Sequence, residues 1–284
     1  MNSSKFYLAG VNVGEFTNVK VMGVINCSET SFYNGAIRLT PEGIAELALK
    51  HQDAGADFID IGAVSTAPVE IYQKEHSITI QKEKNRISMA INAIQDTGVG
   101  IPISIDTQRA SVADWAINHG AQIINDISGL KTDPNMAKVI AEHDASTIVM
   151  ACKHKPGDVT RIPAIKKVWK ESLKIAVQAG ISRQKIAVDP GIGAWHGRPF
   201  FHDINIIQNL PLLKRQSQPI LIALSRKSFL GDLLGLPPDQ RLFGSLSATA
   251  IAVFNGVDIV RTHDVQATKE AITVAETLRK ARNI

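Results

Sequence analysis

Short apolar runs that alternate with stretches of helical period, again and again along the chain, leave it few ways to fold. Runs of strand type occur at residues 21–25, 58–61, 101–105, 122–124, 147–150, 185–188, 220–224 and 258–260. Those without polar interruption read as strands covered on both faces, as in a parallel sheet. The spacing predicts helices over 41–54, 111–118, 135–143 and 163–179. Thr40-Pro41 opens the first with an N-cap hydroxyl and a proline at the first helical position, and Ile44, Leu47 and Ala48 share its inner face. Ile87, Ala90, Ile91 and Ile94 mark a second inner face, and Leu242, Leu246 and Val253 a later one. Ala267, Ala271, Val274, Ala275 and Leu278 supply the last. Gly55-Ala56-Asp57, Gly120-Ala121-Gln122 and Gly256-Val257-Asp258 each stand where a helix must stop and the chain turn back into the sheet.

Eight strand–helix units in 284 residues, with no Pro-, Gly- or Ser-rich linker between halves, predict the α/β class and a single (β/α)8 TIM barrel. The apolar pieces around Gly10 and Gly14 read as a short N-terminal β-hairpin, residues 1–20, closing one end of a barrel over residues 21–284. A doubly wound open sheet is the competing architecture. Its dinucleotide-binding form is weakened because no Gly-x-Gly-x-x-Gly follows the first strand.

Composition narrows the function classes. The balance of 31 basic and 27 acidic residues gives +4, spread without a Lys/Arg block, so no nucleic-acid partner is expected. No run of 18 apolar residues and no long apolar leader occurs, so neither a membrane span nor a signal peptide is expected. Cys27 and Cys152 form no disulfide framework and read as small buried hydrophobes of a protein in a reducing, cytoplasmic setting.

If the fold is a barrel, the C-terminal ends of its strands converge on one face. Those ends carry Asn26, Asp60, Asp106, Asn125 with Asp126, Met150, Asp189, Ser225-Arg226-Lys227-Ser228, and Arg261 with His263. One Asp at such a place is more often a helix cap or a solvated loop residue; polar ends on nearly every strand are harder to obtain that way. The residues divide in two. Asp106, Asn125 and Asp189 offer acceptors and an amide to a flat heterocycle bearing N–H groups, with Met150 as a soft face against the ring. Lys227, Arg261, His263 and Asn26 suit a phosphate or its metal ion. No His/Cys spacing for zinc and no Ser–His–Asp set stands out.

These strand ends sit in longer motifs: Met22-Gly23-Val24-Ile25-Asn26, Gly55-Ala56-Asp57-Phe58-Ile59-Asp60-Ile61-Gly62, Ser104-Ile105-Asp106-Thr107 and Ile124-Asn125-Asp126-Ile127-Ser128-Gly129. Asp189-Pro190-Gly191-Ile192-Gly193, Ser225-Arg226-Lys227-Ser228-Phe229 and Arg261-Thr262-His263-Asp264-Val265 follow in order. Together they resemble the dihydropteroate synthase family over roughly residues 20–280. The resemblance implies a transferase of folate biosynthesis joining 6-hydroxymethyl-7,8-dihydropterin diphosphate to p-aminobenzoate, with release of diphosphate, help from Mg2+ and a homodimeric assembly. It implies pterin contacts at Asp60, Asp106, Asn125, Met150, Asp189 and Lys227, and diphosphate contacts at Asn26, Thr66, Arg261 and His263. It implies arylamine contacts at Phe32, Pro68 and Ser228, a metal contact at Asn26, and catalysis by Lys227, Arg261 and His263.

Several positions depart from the family's pattern. Thr30 and Asn34 stand where the first loop has Asp, Ala67 where the second has Arg, and Ala151-Cys152 where His-Met follows the fifth strand. The departures admit a different arylamine acceptor, as in a methanopterin-type route. They also admit a protein that binds a pterin or methyltetrahydrofolate without synthase activity.

Overall fold

A computed structural model describes residues 5–14, 17–27, 40–64, 78–193, 198–215 and 218–281. Strands β1 (Phe6–Leu8) and β2 (Val11–Val13) are followed by β3 (Lys20–Asn26), α1 (Pro41–Asp53), β4 (Phe58–Gly62), α2 (Ile80–Gln95) and β5 (Ile103–Asp106). Next come α3 (Ala110–Asn118), β6 (Ile123–Asp126), α4 (Met136–Glu142), β7 (Ser146–Met150), α5 (Ile162–Gln178) and β8 (Ile186–Asp189). The chain continues through α6 (Phe201–Gln208), α7 (Leu210–Lys214), β9 (Leu221–Ile222), α8 (Ser228–Leu234), α9 (Leu242–Phe254), β10 (Ile259–Thr262) and α10 (Val265–Ala281). Strands β3 to β10 pair in parallel in the order β8-β7-β6-β5-β4-β3-β10-β9. A parallel bridge between Val188 and Ile220 joins the two ends, so the sheet closes into the expected barrel.

The period of two along each strand splits the apolar residues into two cores. Outward side chains such as Val21, Ile25, Ile59, Ile61, Ile105, Ile124, Val149, Val188 and Ile222 pack under the helices. Inward ones (Met22, Phe58, Ile123, Ile148, Ala187, Leu221 and Ile259) fill the N-terminal end of the barrel together with Leu8 and Val13 of the hairpin. The hairpin is therefore a plug, and burying a side chain such as Leu8 or Phe58 contributes about 1.5–3 kcal/mol. Its turn puts Ala9 at φ 48 and Gly10 at φ 82, the primed geometry that matches strand twist. The Ala9 N–H donates to Ser146 Oγ at 2.9 Å.

The helix stops read from the sequence are present, with Gly55, Gly120 and Gly256 at φ 84, 111 and 100. The third residue of each motif does a second job. Asp57 accepts from Val21 N at 2.9 Å, Gln122 from Ile103 N at 2.9 Å, and Asp258 from Ile220 N at 2.8 Å. Each side chain satisfies an N–H at the start of an adjacent strand, at the plugged end of the barrel.

Three expectations need correction. The strand over 220–224 is shorter, Leu221–Ile222, because the chain leaves the sheet to form the turn that holds Arg226 at φ 57. On α9 the buried residues are Ser245, Thr249, Ala252 and Val253, while Leu242 and Leu246 are half-buried and Phe243 is 80% exposed. On α10 they are Val265, Thr268, Ile272, Ala275 and Glu276, so Val274 and Leu278 point outward. On α9 the buried face is mostly small and hydroxyl-bearing, and the bulky Phe243 is left outside. The short helices α6, α7 and α8 span too few turns to show a period in the sequence.

Candidate active site

The inward rows that begin as apolar plug end as polar residues on four strands and as Met150 on β7. On β4 the row runs Phe58, Asp60; on β6, Ile123, Asn125; on β7, Ile148, Met150; on β8, Ala187, Asp189; on β10, Ile259, Arg261. The parallel register sets Asp106 beside Gly62 and Asn125, and Met150 beside Asp189. Asp60, Asp106, Asn125, Met150, Asp189, Arg261 and His263 are therefore brought together at one end of the barrel, as expected, with Asn26 on β3 beside them.

Asp60 is the hub of this floor and is fully buried. Its Oδ1 accepts from Ser104 Oγ at 2.6 Å, and its Oδ2 from Arg261 Nε at 2.5 Å and Asn125 Nδ2 at 3.3 Å. Arg261 also reaches Asp106 through Nη2 at 3.3 Å. The two sets that the sequence separates are thus joined: Arg261 ties the carboxylate floor to the anion side. Burial works against its charge, but Asp60 and Asp106 outweigh that and hold its pKa above the usual arginine value.

Burial pushes Asp106 up to about 7, against the pull of Arg261 and with a push from Asp60. It pushes Asp189 up to about 6, although Asp189 Oδ1 accepts from Gly191 N at 2.6 Å. Gly191 stands at φ 76 in close contact with Met150; an added Cβ would lie 3.4 Å from Met150 Cγ. Lys227 runs past Gly193, where an added Cβ would meet its Nζ at 2.9 Å. Burial and the Arg261 charge lower the pKa of Lys227, opposed by the carboxylates of Asp189, Asp203 and Asp106.

His263 is pressed down to about 3 by burial and by Arg261, so its ring is neutral. Asn26 Nδ2 lies 3.3 Å from His263 Nε2, and Ser225 Oγ 3.1 Å from Nδ1. With the amide donating to Nε2, the ring proton belongs on Nδ1. Ser228 is half-buried at the first position of α8. Phe32, Thr66 and Pro68 lie outside the described residues, as do Thr30, Asn34 and Ala67.

The Ser225–Ser228 segment divides its roles unexpectedly. Arg226 turns away from the site and grips Asp264 as a fork, Nε to Oδ2 at 2.9 Å and Nη2 to Oδ1 at 2.8 Å. Its Nη1 donates to the carbonyls of Pro238 and Asp239 at 3.1 and 2.8 Å. Asp126 is likewise structural, accepting from Ser128 N and Leu130 N at 2.7 and 3.0 Å. Ser104 is the partner that strand-end reading missed, whereas Ser225, named among the strand ends, serves His263 rather than the ligand face directly. Ser104 was within reach, since it precedes Asp106 by the two residues that keep it on the inward row.

Neither cysteine takes part: burial pushes both thiols up to about 12. Among the described residues, no group of three or more His, Cys, Asp or Glu could hold a metal ion. The Asn26 amide oxygen faces Gly62, where an added Cβ would crowd it at 3.4 Å. Mg2+ often takes only one or two protein oxygens besides phosphate and water. A single amide oxygen therefore fits an ion carried mainly by a phosphorylated substrate.

The comparisons with known proteins agree with this geometry. The family model described as "Pterin binding enzyme" matches residues 22–263. A dihydropteroate synthase of Bacillus subtilis is 37% identical over 246 residues, covering 87% of this chain and 84% of that protein. One from Escherichia coli strain K12 is 30% identical over 98% of both chains. The structure of a Coxiella burnetii dihydropteroate synthase in complex with pteroic acid superposes with a TM-score of 0.82 at 35% identity, covering 94% of this chain and 95% of that one. A Yersinia pestis enzyme solved with a sulfonamide gives 0.85 at 29% identity, over 98% and 99%. With the family model spanning most of the barrel and relatives matched nearly end to end, the chain belongs to the dihydropteroate synthase family of pterin-binding enzymes.

Proposed function

We propose that the barrel condenses 6-hydroxymethyl-7,8-dihydropterin diphosphate with p-aminobenzoate in folate biosynthesis. The observation that carries the reading is the convergence of Asp106, Asn125 and Asp189 from three strands, with Lys227 lying against the turn that follows Asp189. Two carboxylates and an amide match the N–H edge of a pterin, and the Met150 thioether supplies an apolar surface for the ring. Asn26, Arg261 and His263 receive the diphosphate, Arg261 by its charge and His263 by holding the Asn26 amide in place. Phe32, Thr66, Pro68 and Ser228 complete the reading, Thr66 toward the diphosphate and the other three around the arylamine.

The chemistry asks little more of the protein. The amine nitrogen attacks the methylene carbon of the pterin, the carbon–oxygen bond breaks, and its electron pair leaves with diphosphate. The arylammonium then gives a proton to diphosphate or water. Positive charge at the methylene is delocalised into the ring, so orientation and stabilisation of the leaving anion supply the rate. Mg2+, held by Asn26 and the substrate, would neutralise charge on the diphosphate.

The assembly we assign is a homodimer, supported by exposed Phe243, Ile251, Val274 and Leu278 on the outer faces of α9 and α10, helices that pack on one another. The setting is taken as cytoplasmic, since the two buried thiols suit a reducing compartment. None of the helices described is long and apolar enough to cross a membrane.

The test is diphosphate release from the pterin diphosphate in the presence of Mg2+ and p-aminobenzoate. Formation of dihydropteroate is expected; no release with this or any other arylamine overturns the reading.

A further inference from the structure

Behind the pterin floor lies an ion pair that the reaction as described does not use. Arg198 and Asp203 have side chains only 3% and 2% exposed, with Arg198 Nη2 at 2.6 Å from Asp203 Oδ1. Both reach the turn that leaves β8. Arg198 Nη1 donates to the Gly191 carbonyl at 2.9 Å, and Asp203 Oδ1 accepts from Gly193 N at 3.5 Å. The pair therefore holds residues 191 and 193 from behind.

In front, the same turn touches three of the residues assigned to the pterin. Gly191 N donates to Asp189, Gly191 packs on Met150, and Gly193 lies under Lys227 Nζ. We propose that the Arg198–Asp203 pair is a positioning device for the pterin subsite, fixing the 191–193 turn so that Asp189, Met150 and Lys227 meet the ring together. The proposal rests on the pterin reading above.

Stability alone is a poor reason to keep such a pair. A buried ion pair can often be replaced by apolar residues of similar volume with little loss, because both charges must give up their water. Among the described residues, Arg198 Nε is buried without a hydrogen-bond partner, a further cost. The charges also act through space. Arg198 works to lower the pKa of Asp189, and both Asp189 and Asp203 support the ammonium of Lys227. Removing the pair should raise the pH at which Asp189 ionises, as well as loosening the turn.

The test replaces both partners at once, Arg198→Met with Asp203→Leu, so that neither charge is stranded. We expect a folded protein that melts within a few degrees of the parent. The Kd for the pterin, read by calorimetry without turnover, should rise at least tenfold, and KM for the pterin diphosphate should rise with it. KM for p-aminobenzoate should change less than twofold, and the acid limb of pterin affinity should move to higher pH. Arg198→Lys is the companion variant: it keeps a charge for Asp203 but loses the second arm to Gly191, so a smaller loss without the pH shift is expected. It also carries the test if the double variant does not fold.

Wild-type pterin affinity and an unchanged pH profile in a folded double variant would overturn the role of the pair; in Arg198→Lys, unchanged affinity would do so. Failure of the parent protein itself to bind the pterin overturns the site reading, and the pair's role with it. The two failures are therefore told apart by the unmodified protein.

Discussion

Asp106 and Asp189 carry carboxyls that burial holds at about 7 and about 6, so both lose their protons within the working range of the proposed enzyme. Only the ionised form accepts hydrogen bonds at both oxygens, so affinity for a pterin should climb as pH rises through 6 to 7. Asp106→Asn tests the Asp106 share. It should weaken pterin binding by about 1.5–3 kcal/mol, the range for a hydrogen bond to a charged group, and remove the limb near 7 while leaving the one near 6. Stability should move the other way. The folded carboxyl holds its proton more tightly than the unfolded one, so it favours the fold at low pH. That contribution is lost as pH rises from the unfolded value of 3.8 through about 7. The unliganded variant should therefore exceed the parent in stability at pH 8 by about 1–2 kcal/mol, below the roughly 4 kcal/mol that a carboxyl displaced this far represents. Thermal melts at pH 5 and pH 8, with pterin titrations alongside, check both signs.

At the scale of elements, the decisive piece is the turn between β9 and α8. Lys227 stands in the site because the residue before it does not. Arg226 adopts φ 57, a strained value for a side chain with a Cβ, and is held there by the fork to Asp264 and by Ser245 Oγ, which accepts from Arg226 N at 2.9 Å. Arg241 closes the back of the turn, Nε donating to the Leu236 carbonyl at 2.8 Å and Nη1 to the Arg226 carbonyl at 3.2 Å. Asp264→Ala leaves the Arg226 charge buried without its carboxylate and should cost about 3–5 kcal/mol of stability. Because the turn carries Lys227, pterin affinity should fall as well, although Asp264 lies outside the ring contacts. Urea unfolding and calorimetry on the same preparation would measure the two losses together.

For the whole molecule, the barrel buries its plug and its helix layer but leaves an apolar face on α9 and α10. Phe243, Ile251, Val274 and Leu278 are 80%, 55%, 61% and 58% exposed. A stable homodimer buries on the order of 800 Å² per partner, which two helix faces of this length can supply. Phe243→Glu places a charge in that face. Light scattering at micromolar concentration should show the parent as a dimer and the variant shifted to monomer. A monomeric parent would remove the assembly.

The sequence by itself determined the number and order of the strand–helix units, the helix stops at Gly55, Gly120 and Gly256, and most of the polar strand ends. These are local matters: a period of two or 3.6, a glycine tolerant of positive φ, a residue type at a run's end. It also carried the family resemblance, since Asp106, Asn125, Asp189 and Lys227 sit in short contiguous motifs. What only the tertiary structure decided is direction and partnership. Arg226 and Lys227 are neighbours in the chain, yet one supports the turn and the other lies among the strand-end carboxylates, with a positive φ at Arg226 between them. Arg261 looks like an anion anchor in its motif, but Asp60 and Asp106, more than 150 positions away, draw it into the floor. The outward face of α9 was misjudged for the same reason. Hydrophobicity says which residues prefer burial, but the side of α9 that meets the barrel, lined by Ser245, Thr249 and Ala252, decides which ones obtain it.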